Sequence, residues 1–115
     1  MMFLRILPAV LFLFVVWPVR VFAFGDIVVV KVNGAINPVV AEFVTDEISQ
    51  ANLSAAELLI IQMDTPGGLD TSMRQIIKEI ENSKVPIASF VSPGGSRAAS
   101  AGTFITIASH IAAME

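Results

Sequence analysis

The sequence predicts an α/β domain on a mainly parallel sheet, and three observations carry that prediction. Short apolar runs recur along the chain with stretches of helical periodicity between them. The links between these segments are short, as in strand–helix–strand units whose strands lie parallel with the helices outside. Two glycine-rich loops, Asp64-Thr65-Pro66-Gly67-Gly68 and Ser92-Pro93-Gly94-Gly95-Ser96, each follow directly on an apolar run. Open parallel sheets bind ligands at that carboxyl end of their strands.

The first strand is read from Asp26 to Val32, nearly continuous in apolar character, which predicts a central strand covered on both faces. Asn33-Gly34 turns the chain. Asn37 suits an N-cap and Pro38 the first helical position, where its missing N–H would be unpaired anyway. Val40, Phe43, Val44, Ile48 and Ala51 then fall at helical spacing, and Asn52 closes the helix. Leu58 to Met63 is the second strand. Leu69, Met73, Ile76, Ile77 and Ile80 form the next helical stripe, with Arg74, Lys78, Glu79 and Glu81 on the solvent side. Val85 to Val91 is the third strand, with Pro86 near its start, where a lost ladder donor does least harm. Ala98 to Ser109 is alanine-rich and reads as a helix, and Ile111 to Met114 opens a fourth strand. The sheet is therefore expected to be incomplete.

At 115 residues the chain is one domain at most, and part of it reads as a targeting segment. Residues 1–23 carry Arg5, the apolar run Ile6 to Trp17, then Pro18 and Arg20, with Val21-Phe22-Ala23 suiting cleavage after Ala23. The run is short for a span of about twenty residues. A cleaved signal is the first expectation and an uncleaved N-terminal anchor the second, with the domain occupying 24–115. Removing that segment takes Arg5 and Arg20 but no acid, leaving five of seven basic residues against ten acidic ones. Such a balance gives no electrostatic case for nucleic acid. The absence of cysteine excludes disulfides, thiol catalysis and cysteine-ligated zinc. No metal or cofactor is expected.

Taken alone, each glycine loop is turn punctuation more often than chemistry. A phosphate cradle fails on detail, because neither loop has the lysine or the glycine spacing that such cradles use. Ser100 stands in Ala98-Ala99-Ser100-Ala101-Gly102, where small neighbours leave room for a substrate carbonyl. The arrangement is not G-x-S-x-G, since Ala98 stands where that elbow has its first glycine. Ser92 and Ser96 are competitors, Ser96 being less firmly aimed within the loop. Bare amides beside an accessible serine are what acyl transfer requires.

A-A-S-A-G-T after a P-G-G loop, preceded upstream by D-T-P-G-G, resembles the membrane-bound NfeD-family serine proteases, of the ClpP-like and crotonase superfamily. The resemblance runs from about Asp26 to the last residue. It implies a ClpP-like spiral of β-α-β units and a Ser–Lys dyad. It also implies Ser100 as nucleophile, Gly67 and Gly68 as the oxyanion-hole loop, and the amide of Ala101 as second donor. Further implied are an extracytoplasmic, membrane-associated site, homo-oligomers, hydrophobic segments of membrane proteins as substrates, and a stomatin-like partner. A Cβ at Gly68 is expected to obstruct the substrate oxygen, and the position to favour φ > 0, with the fold unaffected by Gly68→Ala.

The departure is the base. In the family it is a lysine downstream of the serine, its pKa lowered by burial. This chain has no lysine or arginine after Arg97. If Ser100 to His110 were one helix, ten residues at about 1.5 Å each would set them roughly 15 Å apart. Lys84 and Lys78 fit poorly, and Lys31 is the least unsuitable. The sequence thus reads as the N-terminal fragment of such an enzyme, inactive by itself. Two alternatives are a non-catalytic fold binding peptide along a strand edge and an acyl-CoA-processing crotonase. The export signal argues against the second.

Overall fold

Four apolar runs pair side by side in the order in which they occur. In the computed structural model, which describes residues 24–115, these are β1 (Ile27–Asn33), β2 (Leu58–Asp64), β3 (Ile87–Val91) and β4 (Ile111–Met114). The sheet order is β1-β2-β3-β4 and every pairing is parallel. The connecting helices are α1 (Pro38–Leu53), α2 (Asp70–Asn82) and α3 (Ala101–Ala108). A right-handed crossover repeated in one direction puts every helix on the same face. The helices form one layer, with α2 packed between α1 and α3. The core lies between that layer and the sheet, where Val30, Leu59, Ile61, Met63 and Ile87 meet Val44, Ile48, Ile76, Ile80 and Ile105.

This topology corrects the expectation of a central, doubly covered first strand. β1 is an edge strand; Val30 and Val32 are buried, while Ile27 and Val29 are 60% and 54% exposed. Its continuous apolar character belongs to a second face that carries no helix among the described residues. Register places Val29, Ile60, Ala88 and Ile111 in one row across that face.

Helix α1 starts as expected, with the Asn37 side chain accepting the Val40 N–H at 2.8 Å and Pro38 in the first turn. Its other end differs. The helix runs to Leu53, and Ala55 takes φ 52° while the Ala56 N–H reaches the Ala51 carbonyl at 3.0 Å. This is a Schellman cap with alanine where glycine is usual. Asn52 instead ties elements together, because its Oδ1 accepts the Lys84 and Val85 amides and its Nδ2 donates to the Ile48 carbonyl and the Ser83 hydroxyl. On α2, Met73, Ile76 and Ile80 are buried as the stripe predicts, but Leu69 sits outside as an exposed N-cap. Strand β3 begins at Ile87 rather than Val85, after Pro86, which offers no N–H and uses its carbonyl to accept Leu59.

Between each strand and its helix the chain makes one more short parallel step. Ile36 bridges to Gly68, and Thr65 to Ala98. These steps set each β-α unit beside the next and form the spiral that the resemblance implied. They also correct the start of α3, which begins at Ala101 rather than Ala98 because 97–99 run extended against Thr65. The expected targeting segment, 1–23, lies outside the described residues. Among the described residues no helix is long and apolar enough to cross a membrane.

Candidate active site

The site is built where β2 and β3 deliver their carboxyl ends. Past β2 the chain is fixed by Thr65, which is fully buried. Its N–H donates to the Arg97 carbonyl at 2.7 Å and its carbonyl accepts the Ala99 N–H at 3.1 Å. The Thr65 Oγ1 accepts the Gly67 N–H at 3.1 Å, a local turn of the kind that threonine favours. The Asp64 carboxylate accepts the Arg97 N–H at 3.0 Å. The Asp64 carboxylate and the Thr65 backbone thus bind the glycine loop to the segment leading into Ser100, and the Thr65 hydroxyl braces the loop itself. Neither residue was singled out in the sequence; the available signal was an Asp-Thr pair directly before Pro-Gly-Gly at a strand end.

Ser100 has φ 53° and ψ −116°. A non-glycine residue there costs on the order of 1–3 kcal/mol and persists only where its surroundings impose it. The imposing contacts are the Thr65 clamp before it and the first turn of α3 after it, in which the Gly102 N–H reaches the Ala99 carbonyl at 3.0 Å. Ser100 stands at the N-cap position yet makes no capping bond with its side chain. Its hydroxyl is exposed and has no hydrogen-bond partner among the described residues. The chain therefore makes a sharp strand-to-helix elbow without the G-x-S-x-G pattern. Gly102 permits it, since a Cβ there would lie 2.5 Å from the Thr65 Cγ2.

The two glycines of the first loop are not equivalent. Gly67 has φ +114°, and a Cβ on it would lie 2.7 Å from the Ser100 Cβ and 3.3 Å from its Oγ. Its N–H is taken by Thr65 and its carbonyl by the Ile36 N–H at 2.8 Å. Gly67 therefore lets the loop touch Ser100, while its own N–H is already engaged by Thr65. The amides of Gly68 and Ala101 have no partner among the described residues. Gly68 is not at positive φ, contrary to expectation. A Cβ there would fall on the Ile36 backbone rather than in a substrate's path, so its lack of a side chain serves the bridge to Ile36.

The competing serines lie elsewhere. Ser92 is buried and accepts a hydrogen bond from Gln62 Nε2 at 2.8 Å. Ser96 closes a turn onto the Pro93 carbonyl at 2.9 Å. A Cβ on Gly94 or Gly95 would meet nothing within 4 Å, so the second glycine pair is turn punctuation.

Among the described residues none brought to Ser100 supplies a base. His110 Nδ1 accepts the Ile87 N–H at 2.9 Å, which holds it at the start of β3, the opposite end of the sheet. Lys84 lies at that same end, its N–H on Asn52. Lys31 lines a cavity of about 170 Å³ with Asn33, Gln62, Asp64, Ser92 and Pro93, and Ser100 is not among its walls. The Arg74 guanidinium is held above its ordinary value by hydrogen bonding to Asp70 and by its charge, on the solvent face of α2. Among the described residues no cluster of His, Cys, Asp or Glu is placed to share a metal ion.

Residues 26–115 match the family model of the NfeD1b N-terminal domain. The membrane-bound protease PH1510 of Pyrococcus horikoshii is 40% identical over 86 residues, which are 75% of this chain and 20% of that protein. Two solved structures of the 1510-N membrane-bound stomatin-specific protease superpose well. A serine-to-alanine mutant gives TM-score 0.78 at 36% identity, over 81% of this chain and 45% of that one. A lysine-to-alanine mutant with a substrate peptide gives 0.77 at 38%, over 81% and 42%. ClpP1 of Listeria monocytogenes gives 0.62 at 26%, over 70% and 46%. The chain thus spans a fifth of the curated relative and under half of each structural one.

Proposed function

The chain belongs to the family of the NfeD1b N-terminal domain, and from that premise we propose that it carries the nucleophile half of a membrane-associated serine endopeptidase site. Ser100 is the nucleophile, and the amides of Gly68 and Ala101 receive the oxyanion. The observation that carries this reading is the elbow itself, an exposed serine at φ 53° whose hydroxyl caps nothing, set against a glycine loop. Cap geometry would have been the ordinary use of a serine there, and the chain does not adopt it. Two preorganised amides would each contribute about 10²–10³-fold in turnover.

In this reading the base comes from outside the described residues. Relatives have been studied as a serine-to-alanine mutant and, with substrate peptide bound, as a lysine-to-alanine mutant. Those two residue types are the pair that this mechanism needs. General-base assistance is typically worth about 10²–10⁴-fold, so the 115 residues alone should be nearly silent. Residues 24–115 are then the N-terminal part of a ClpP-like protease domain that works as a homo-oligomer. The specificity named for the relatives supports a stomatin-like partner as substrate; apolar segments of membrane proteins are the class this reading has it cleave. Residues 1–23 direct export, so the site faces away from the cytoplasm; an alkaline-phosphatase fusion after Phe24 that stays inactive in cells would contradict this.

The experiment is cleavage of an apolar fluorogenic peptide by the full-length natural protein, with labelling by a fluorophosphonate. Both signals are expected to vanish in Ser100→Ala. Peptide binding with neither signal in the unmutated protein would favour the second reading, a peptide-binding remnant, which the lack of a base beside Ser100 supports.

A further inference from the structure

Thr65 touches the glycine loop, the segment before Ser100 and the space beside Gly102. Its backbone clamps both sides of the segment before Ser100, through Arg97 and Ala99. Its Oγ1 takes the Gly67 N–H at 3.1 Å and lies 3.3 Å from the Gly67 carbonyl. Its Cγ2 occupies the space that a Cβ on Gly102 would need. Hydroxyl and methyl are both used, which is what a threonine offers and neither serine nor valine does.

Had the Gly67 N–H been unclaimed, three adjacent amides would compete for the oxyanion and the loop could rotate among them. The hydroxyl removes one of the three and fixes the Pro66–Gly67 peptide plane, while the Ile36 N–H on the Gly67 carbonyl holds the next plane, which ends in the Gly68 N–H. We propose that Thr65 is a positioning residue, whose hydroxyl locks the glycine loop so that Gly68, and not Gly67, presents its amide beside Ser100. Asp64 supports the same clamp from the other side by holding the Arg97 N–H. This rests on the reading of Ser100 as nucleophile. In that reading the clamp acts on the transition state, because an oxyanion donor matters only where charge develops. Substrate affinity is untouched.

The test uses the full-length protein with the apolar fluorogenic peptide, comparing Thr65→Val, Thr65→Ser and Asp64→Ala. Thr65→Val keeps the shape and strips the buried Gly67 N–H of its acceptor. It is expected to lower kcat by about ten- to a hundred-fold, part of what one donor is worth, with KM unchanged. Thr65→Ser keeps the hydroxyl and is expected to retain kcat within about threefold while losing some thermal stability, since only the methyl goes. Amide exchange of the segment covering Gly67 and Gly68 should rise in Thr65→Val and not in Thr65→Ser. Asp64→Ala, at a half-buried position, is the second variant should Thr65→Val fail to fold, and is expected to lower kcat at constant KM. Equal losses in the serine and valine variants, or an unchanged kcat in both Thr65→Val and Asp64→Ala, would overturn the proposal. If Ser100→Ala leaves cleavage intact, the peptidase reading fails separately. The exchange measurement then decides the clamp, with unchanged protection in Thr65→Val ruling it out.

Discussion

Four glycines near the site allow backbone conformation and steric contact to be separated by a single kind of substitution. Gly94 has an ordinary φ and open space around its missing side chain. Gly95 has φ +88° with the same open space, Gly67 has φ +114° and meets Ser100, and Gly68 has an ordinary φ but meets the Ile36 backbone. Replacing each by alanine therefore tests neither effect, strain alone, both together, and contact alone.

The magnitudes follow. An alanine restricts the unfolded chain, which stabilises by about 0.4–1 kcal/mol where the native geometry permits. Gly94→Ala should therefore be neutral or slightly stabilising. Gly95→Ala adds left-handed strain of about 1–2 kcal/mol, for a net loss near 1 kcal/mol. Gly67→Ala adds overlap with the Ser100 Cβ, typically about 1–3 kcal/mol, for a net loss of about 2–4 kcal/mol. Gly68→Ala must also part the Ile36 bridge, whose two hydrogen bonds contribute about 1 kcal/mol each, for a net loss of about 2–5 kcal/mol. Against a typical stability of about 5–15 kcal/mol, that last loss is enough to unfold a weak domain. Urea denaturation of the four variants in one background gives the order directly. A Gly94→Ala loss as large as that of Gly68→Ala, or a greater loss at Gly95 than at Gly67, would refute the reasoning.

Ala55 at φ 52° holds the C-terminal cap of α1 in a conformation that suits glycine; Ala55→Gly should stabilise by about 0.5–1 kcal/mol, read as a rise of a few degrees in Tm. Asn52→Ala should cost about 2–3 kcal/mol in urea denaturation, because the Val85 N–H loses its acceptor in a buried setting along with three further bonds. Ser100→Gly relieves the elbow and should raise the denaturation midpoint, while Ser100→Ala, which keeps the Cβ, should not. Equal midpoints for those two variants would show that the elbow stores no strain.

How far the sequence could be read depends on how far apart the interacting residues lie. Strand and helix identities were legible because each rests on neighbours; the Asn37 cap and the Met73, Ile76 and Ile80 stripe appear where the periodicity puts them. The bare face of the sheet was not, since an apolar run such as Ile27–Val32 does not say which of its faces finds a cover. The start of α3 departs from the local pattern for the same reason. Alanines at 98 and 99 favour helix locally, but the Arg97 carbonyl and the Ala99 N–H pair with Thr65 across the sheet's end, and the tertiary pairing overrides the propensity. Small residues around Ser100 drew attention to that position, while the division between Gly67 and Gly68 depends on one hydroxyl with no periodicity to reveal it. The local misfit and the candidate site coincide for a physical reason. A serine held at φ 53° needs extended chain before it and helix after it, so the segment most favourable to helix by composition must be kept out of the helix. The Asp64-Thr65 pair does this, and its presence directly before a Pro-Gly-Gly turn is the feature that ties the two motifs into one structure.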